Sequence, residues 1–556
     1  MKNVSIYLRP YTVDWNNPES DSIHLEYSYD KENWYSLNGN NGVLFAKSGS
    51  RRMSEPQIIK MSEDRFKIYA KDSLDTNKVF VYETSDFISY SDETVVECTS
   101  LDDYNKPGEA VEISQELLSQ LNKVYGKPEP VVIESVEEVK AEVNVGEELK
   151  LPEKVKVTYS NGMTEMKKVV WEQADTSSAG VKTVKGKVSE HQYTNPLIYH
   201  RADPFVYKHT DGSYYFVASY TDQEHNLIGE YQYRYIFLRK ASTIEGLADG
   251  SGQYEEKVVF ERGTVQGNNS PHIWAPEIHF INGQWYIYYT TCINDDDMWS
   301  IRPHALRCTG DPMKEQWENL GRIQTTTDDS IAFTDFSLDH TVLQHNGELY
   351  FFWAEKHPEV VGANVGGDYD ENAVQVNSDI YVAKMVNPWT IDSSRICRVV
   401  EPTYNWELHG FPVCEGPAIL VRNGKIFMAY SASGTDALYC MGLCTADENA
   451  DLLDPKSWTK SPCPVFQSSR ATGQFGPGHN SFTYDEDGND VMVYHARQEE
   501  RYLVDPGYQP LYDAGRNASV SRVYWNPDGT PNFSVPVPSG KGKDIETEVT
   551  AAVVVK

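Results

Sequence analysis

The chain has 556 residues, with 50 Lys and Arg against 82 Asp and Glu, a formal net charge of −32 and a mean hydropathy of −0.55. That charge repels phosphate and no stretch supplies a basic face, which excludes a nucleic-acid partner; no apolar run approaches the ~20 residues of a membrane span. At roughly 100–200 residues per domain the length predicts three or four folded units, and 36 Tyr and 12 Trp suit both β-strands and surfaces that hold a half-polar ligand such as a sugar.

The opening text, MKNVSIYLRPYTVDWNNPES, has a lysine but no apolar h-region, so no secretory signal is visible and a cytoplasmic chain is expected. Seven of the eight cysteines fall between Cys292 and Cys463. With no CxxC and no Cys/His ligand spacing they read as buried free thiols, which leans the same way. Residues 1–108 read as a degenerate blade-like β region. SEPQIIKMSEDRFKIYA from Ser54 aligns without gaps to ADPFVYKHTDGSYYFVA from Ala202, pairing Glu55 with Asp203. A linker helix is expected within 109–128, where Leu117, Leu118, Leu121 and Val124 follow helical spacing. Across 129–192, VKVTYSNG, MKKVVWEQ and GVKTVKGKV make three strands with an Asn-Gly turn, a small β-sandwich.

From 193 to 540 the text becomes short aromatic strands, each after a Gly- or Asn-containing turn. They begin at Tyr214, Trp285, Leu349, Ile426 and Val491, at intervals of 71, 64, 77 and 65 residues. Five multi-stranded units of that length without helical stretches predict an all-β fold, a five-bladed β-propeller, with 541–556 as a C-terminal tail. In a propeller the innermost strands line one channel, so RADPF, HIWAPE, TDFSLDHTVL, CEGPAIL and GPGHNSF converge. Asp203, Asp339 and Glu415 then share a pocket. Mutual repulsion and nearby rings raise at least one of their pKa values, which provides the protonated and ionised carboxyl pair that glycosidic hydrolysis requires.

The five blade motifs resemble, in order, those of glycoside hydrolase family 43, and the stretch around 130–190 resembles bacterial Ig-like modules. The first resemblance implies a propeller acting on arabinose- and xylose-containing plant polysaccharides by an inverting single displacement. It implies Asp203 as the general base, Asp339 as the carboxylate that tunes the acid and orients substrate, and Glu415 as the general acid. It also implies Trp274 as an aromatic wall for the sugar and Arg497 as a guanidinium near substrate and Asp339. His479 is implied as the approach to a calcium or other cation on the axis, structural rather than catalytic, with no cofactor needed for the chemistry. The text is most similar to α-L-arabinofuranosidases. The open alternatives are a β-xylosidase on xylo-oligosaccharides and a carbohydrate-binding propeller without activity. The loop at 357–378 is long enough to block one end of a cleft, which favours exo action.

Overall fold

A computed structural model describes residues 5–15, 18–100, 107–126, 129–220, 233–262, 272–294, 297–328, 330–356, 378–500 and 510–556. Its catalytic-size unit is a ring of five sheets. The inner strands are Arg201–Lys208, Trp274–Ile281, Ser337–His345, Cys414–Arg422 and Phe475–Tyr484, here blades I to V. Each contacts the next, and blade V returns to blade I. Blades I, II and IV are four-stranded antiparallel sheets, and blade III carries an added parallel edge strand, Gln324–Thr325. Blade V has three strands, and the chain entering blade I pairs with its outer strand through Ile198 and Ala518, which closes the ring. The aromatic alternation explains the sheets: one face of each blade presents large rings to the next. Tyr288 of blade II and Phe351 and Trp353 of blade III are fully buried in one such layer, each stabilising the ring by about 2–3 kcal/mol.

The first 100 residues supply two further sheets. Met53–Ser62, Arg65–Asp72, Lys78–Thr84 and Thr94–Glu97 make a four-stranded meander of blade type, with a register shift after Ser54 and Glu55 at φ 48°. A second sheet is built on Ile6–Tyr11. The helix is shorter than its expected span. It runs Gln115–Val124, capped by the Ser114 side chain on the Leu117 N–H, while Val111–Ile113 ahead of it is a strand.

Residues 541–556 are not a tail. Lys543–Val555 lies in a six-stranded sheet, antiparallel to Gly180–Gln192 along its whole length and parallel to Val139–Val143. Alternate valines and Ala551 bury against Val184, a period-two pattern that only a strand satisfies.

The strand directions fix which end of the ring each appendage occupies. Inner strands begin at the end that holds Asp203 and Glu415, so the segments just before them lie on that face. The N-terminal sheets sit there: Gln467 donates to Asn38 at 2.7 Å, Arg51 to the Gly410 carbonyl at 3.3 Å, and the Arg470 guanidinium lies 3.6 Å from the Trp15 ring centroid. The Ig-like sheet sits at the opposite end, where Arg522 closes blade V and binds Glu165 and Glu190, both at 2.6 Å.

Candidate active site

Each inner strand shifts register near its start, and the extra residue takes a left-handed backbone: Asp203 at φ 53°, Ala275 at 43°, Asp339 at 46°, Gly416 at 56° and His479 at 41°. Such a conformation costs an L-residue of order 1–2 kcal/mol. Only blade IV relieves it with glycine. The bulges aim side chains into the channel, as bulges beside active sites do. Asp203, Asp339 and His479 therefore share one structural position. Glu415 does not: it precedes the left-handed residue by one, the place that Trp274 holds in blade II.

The structure brings together Asp203, Asp339, Glu415 and His479. His479 Nδ1 stands 3.4 Å from Asp203 Oδ1 and 3.4 Å from Asp339 Oδ2. Asp203 accepts the Ser219 hydroxyl at 2.5 Å, and Arg516 Nη1 is 3.6 Å from its Oδ1. Burial alone would lift the Asp203 pKa. The groups around it, His479 first and then His495 and Arg516, reverse that and hold it well below the carboxylate range. Burial also lowers both imidazoles, His495 to about 3, so the lasting positive charge beside Asp203 at neutral pH is the Arg516 guanidinium.

The other two carboxyls move the opposite way. Asp339 is driven far up by burial, then by Glu415 and Asp203. Glu415 is half-buried at the channel, and it is raised to about 7 by desolvation and the Asp203 charge against the Tyr439 hydroxyl, which donates to Oε1 at 2.8 Å. One carboxylate is thus held ionised while its neighbours retain protons.

Arg497 does not reach this group as expected. Its Nε binds Asp513 at 2.6 Å and its Nη2 the Pro510 carbonyl at 2.6 Å, which commits it to the 510–513 turn. That turn instead presents Arg516, which is 5% exposed and donates to the Leu511 carbonyl. Trp274 lies in an aromatic layer, its ring 4.1 Å from His272 and edge-on to Tyr233, with no hydrogen-bond partner for its indole N–H among the described residues.

A calcium at His479 is not confirmed. Its Nδ1 faces the Asp203 and Asp339 carboxylates, and among the described residues no three His, Cys, Asp or Glu are grouped to hold a metal. The loop thought to block the cleft, 357–377 with Ser378, lies outside the described residues except for Ser378 itself.

Tyr439, His495, Ser219 and Arg516 escaped the sequence reading. Gly478 was equally silent: a Cβ there would stand 2.4 Å from the Tyr439 ring. Gly478→Ala therefore displaces the tyrosine that holds Glu415, and kcat on a small aryl glycoside falls by about tenfold or more with KM little changed. Steady-state kinetics beside a circular dichroism melt check this, since a fold defect would move the melt as well.

Residues 193–531 match Glycosyl hydrolases family 43, and residues 136–191 match Bacterial Ig-like domain (group 4). An extracellular exo-alpha-(1->5)-L-arabinofuranosidase from Streptomyces avermitilis is 42% identical over 350 residues, 63% of this chain and 64% of its own length. Alpha-L-arabinofuranosidase 43 from Humicola insolens shows the same identity and shares. The matched part thus spans under two thirds of these relatives. A crystal structure of alpha-L-arabinofuranosidase from Lactobacillus brevis superposes with TM-score 0.53 at 41% identity, covering 63% of this chain and 98% of that one. The expectation of a cytoplasmic chain is overturned here, because the Streptomyces relative is named extracellular, which points to secretion. The eight free thiols, seven of them buried, carry no weight to the contrary: a buried thiol is sheltered from pairing in either compartment.

Proposed function

The chain belongs to glycosyl hydrolases family 43, and from that premise we propose that it is an inverting, exo-acting α-L-arabinofuranosidase. Its substrates are arabinan or arabinoxylan-type plant polysaccharides and oligosaccharides. The observation that carries this reading is the split within one channel: Asp203 ionised, Glu415 raised to about 7.

Glu415 gives its proton to the glycosidic oxygen as the bond to the anomeric carbon breaks. Asp203 takes a proton from the water that attacks that carbon from the opposite side, so the configuration inverts and no glycosyl-enzyme forms. Asp339 orients the sugar, while burial and the Asp203 charge keep a proton on Glu415. Trp274 lines the sugar pocket by position, and Arg516 fixes the charge of the base. The arabinofuranosidase names of relatives at 42% identity support the sugar specificity.

The acid works only while protonated, so kcat/KM falls as pH rises through about 7, the Glu415 value. Because Asp203 is held down, no acidic limb appears near the ordinary carboxylate value of about 4. A pH–rate profile on an aryl arabinofuranoside reads both. The substrate assignment is tested with linear arabinan, arabinoxylan and xylo-oligosaccharides, the product anomer being read by proton NMR. Arabinose released with inverted configuration is expected. Retained configuration overturns the mechanism, faster release of xylose makes the enzyme a β-xylosidase, and binding without hydrolysis makes it a binding propeller.

A further inference from the structure

Across from the residue that precedes each bulge, the second strand of every blade carries one side chain: Ser219, Thr290, Ala354, Ser431 and His495 in blades I to V. Three of these reach sideways to the following blade and accept the main-chain N–H of its left-handed residue. Ser219 Oγ accepts from Ala275 at 2.8 Å, Ser431 Oγ from His479 at 2.7 Å, and His495 Nδ1 from Asp203 at 3.1 Å. Ala354 has no polar atom to offer, and Thr290 Oγ1 has no partner among the described residues. The latch is thus a feature of the ring, and the chain places it on Asp203 through an imidazole where two other blades use serine.

His495 suits that task. It is fully buried and lies parallel to the Tyr439 ring, at 5.6 Å and 5°. Its Nε2 has no partner among the described residues, while Nδ1 stands 3.1 Å from the Asp203 main-chain nitrogen and 3.3 Å from Asp203 Oδ1, so both polar contacts of the ring seen there are to Asp203. An imidazole that accepts at Nδ1 is the neutral tautomer with its proton on Nε2. Asp203 has a Cβ and pays for its left-handed backbone, so an acceptor fixed against its N–H keeps the bulge from relaxing.

We infer that His495 is a positioning residue for Asp203: it holds the bulge that aims this carboxylate, through the main chain. The inference rests on the proposal that Asp203 is the base. The test compares His495→Thr with His495→Val, two side chains of one shape that differ by an acceptor oxygen. The valine variant should lose about 10- to 100-fold in kcat relative to the threonine variant, with KM within about threefold and melting temperatures alike. Equal kcat for the pair overturns the inference. Should the valine variant not fold, His495→Ser against His495→Ala makes the same comparison. If neither acceptor-less variant folds while Thr and Ser variants do, the contact serves folding and the positioning role falls. Asp203→Asn is assayed alongside: activity retained there removes Asp203 as the base whatever the His495 pairs show.

Discussion

Glu415→Ala lowers kcat on arabino-oligosaccharides by about 10³-fold or more, yet leaves hydrolysis of a 2,4-dinitrophenyl arabinofuranoside within about tenfold of the wild type. The asymmetry follows from the role. A sugar alkoxide is a poor leaving group and needs the proton that Glu415 keeps up to about pH 7, whereas a dinitrophenolate departs as a stable anion. The variant also loses the alkaline limb on the activated substrate. A uniform loss on both substrates would assign Glu415 to another role, and the comparison needs only two chromophores and one variant.

Asp203→Ala loses about 10³–10⁴-fold on both substrates, because water must be deprotonated whatever departs. It carries a structural charge too. Arg516, His479 and Ser219 all converge on this carboxylate, so its removal leaves a buried guanidinium short of a partner. Breaking a buried pair costs about 3–5 kcal/mol, and the melting temperature drops with activity. Asp203→Asn separates the effects by keeping the hydroxyl contact while abolishing the base. Activity of the asparagine variant near that of the wild type would exclude Asp203 from the chemistry.

The ring was legible because its signal repeats. Five aromatic hairpins, each announced by a turn, state their period directly, and Asp203 and Asp339 stand out by holding one repeat position. Glu415 was found through the same repeat although it sits one residue off that position, since Cys414–Ala418 keeps the motif. Arg516 was not legible: it arrives from the long connection between the second and third strands of blade V, where no repeat constrains the text, and Arg497 in a repeated strand drew the expectation instead. Tyr439 and His495 looked like ordinary strand aromatics. Their significance depends on which neighbour stands across a blade boundary, a contact between residues distant in sequence. The same reason hid Lys543–Val555, whose partner Gly180–Gln192 precedes it by the entire propeller.

That last pairing sets an order on biosynthesis. Some 350 residues separate Gln192 from Lys543, so at ~5–20 residues per second the ribosome needs on the order of 20–70 s to deliver the missing strand. Until then Val139–Val143 and Gly180–Gln192 lack the ribbon between them and expose unsatisfied edges. The Ig-like module is therefore completed only after the propeller has been made, although most of it precedes the propeller in the chain, and it acts as a buckle fastened once that ring has left the ribosome.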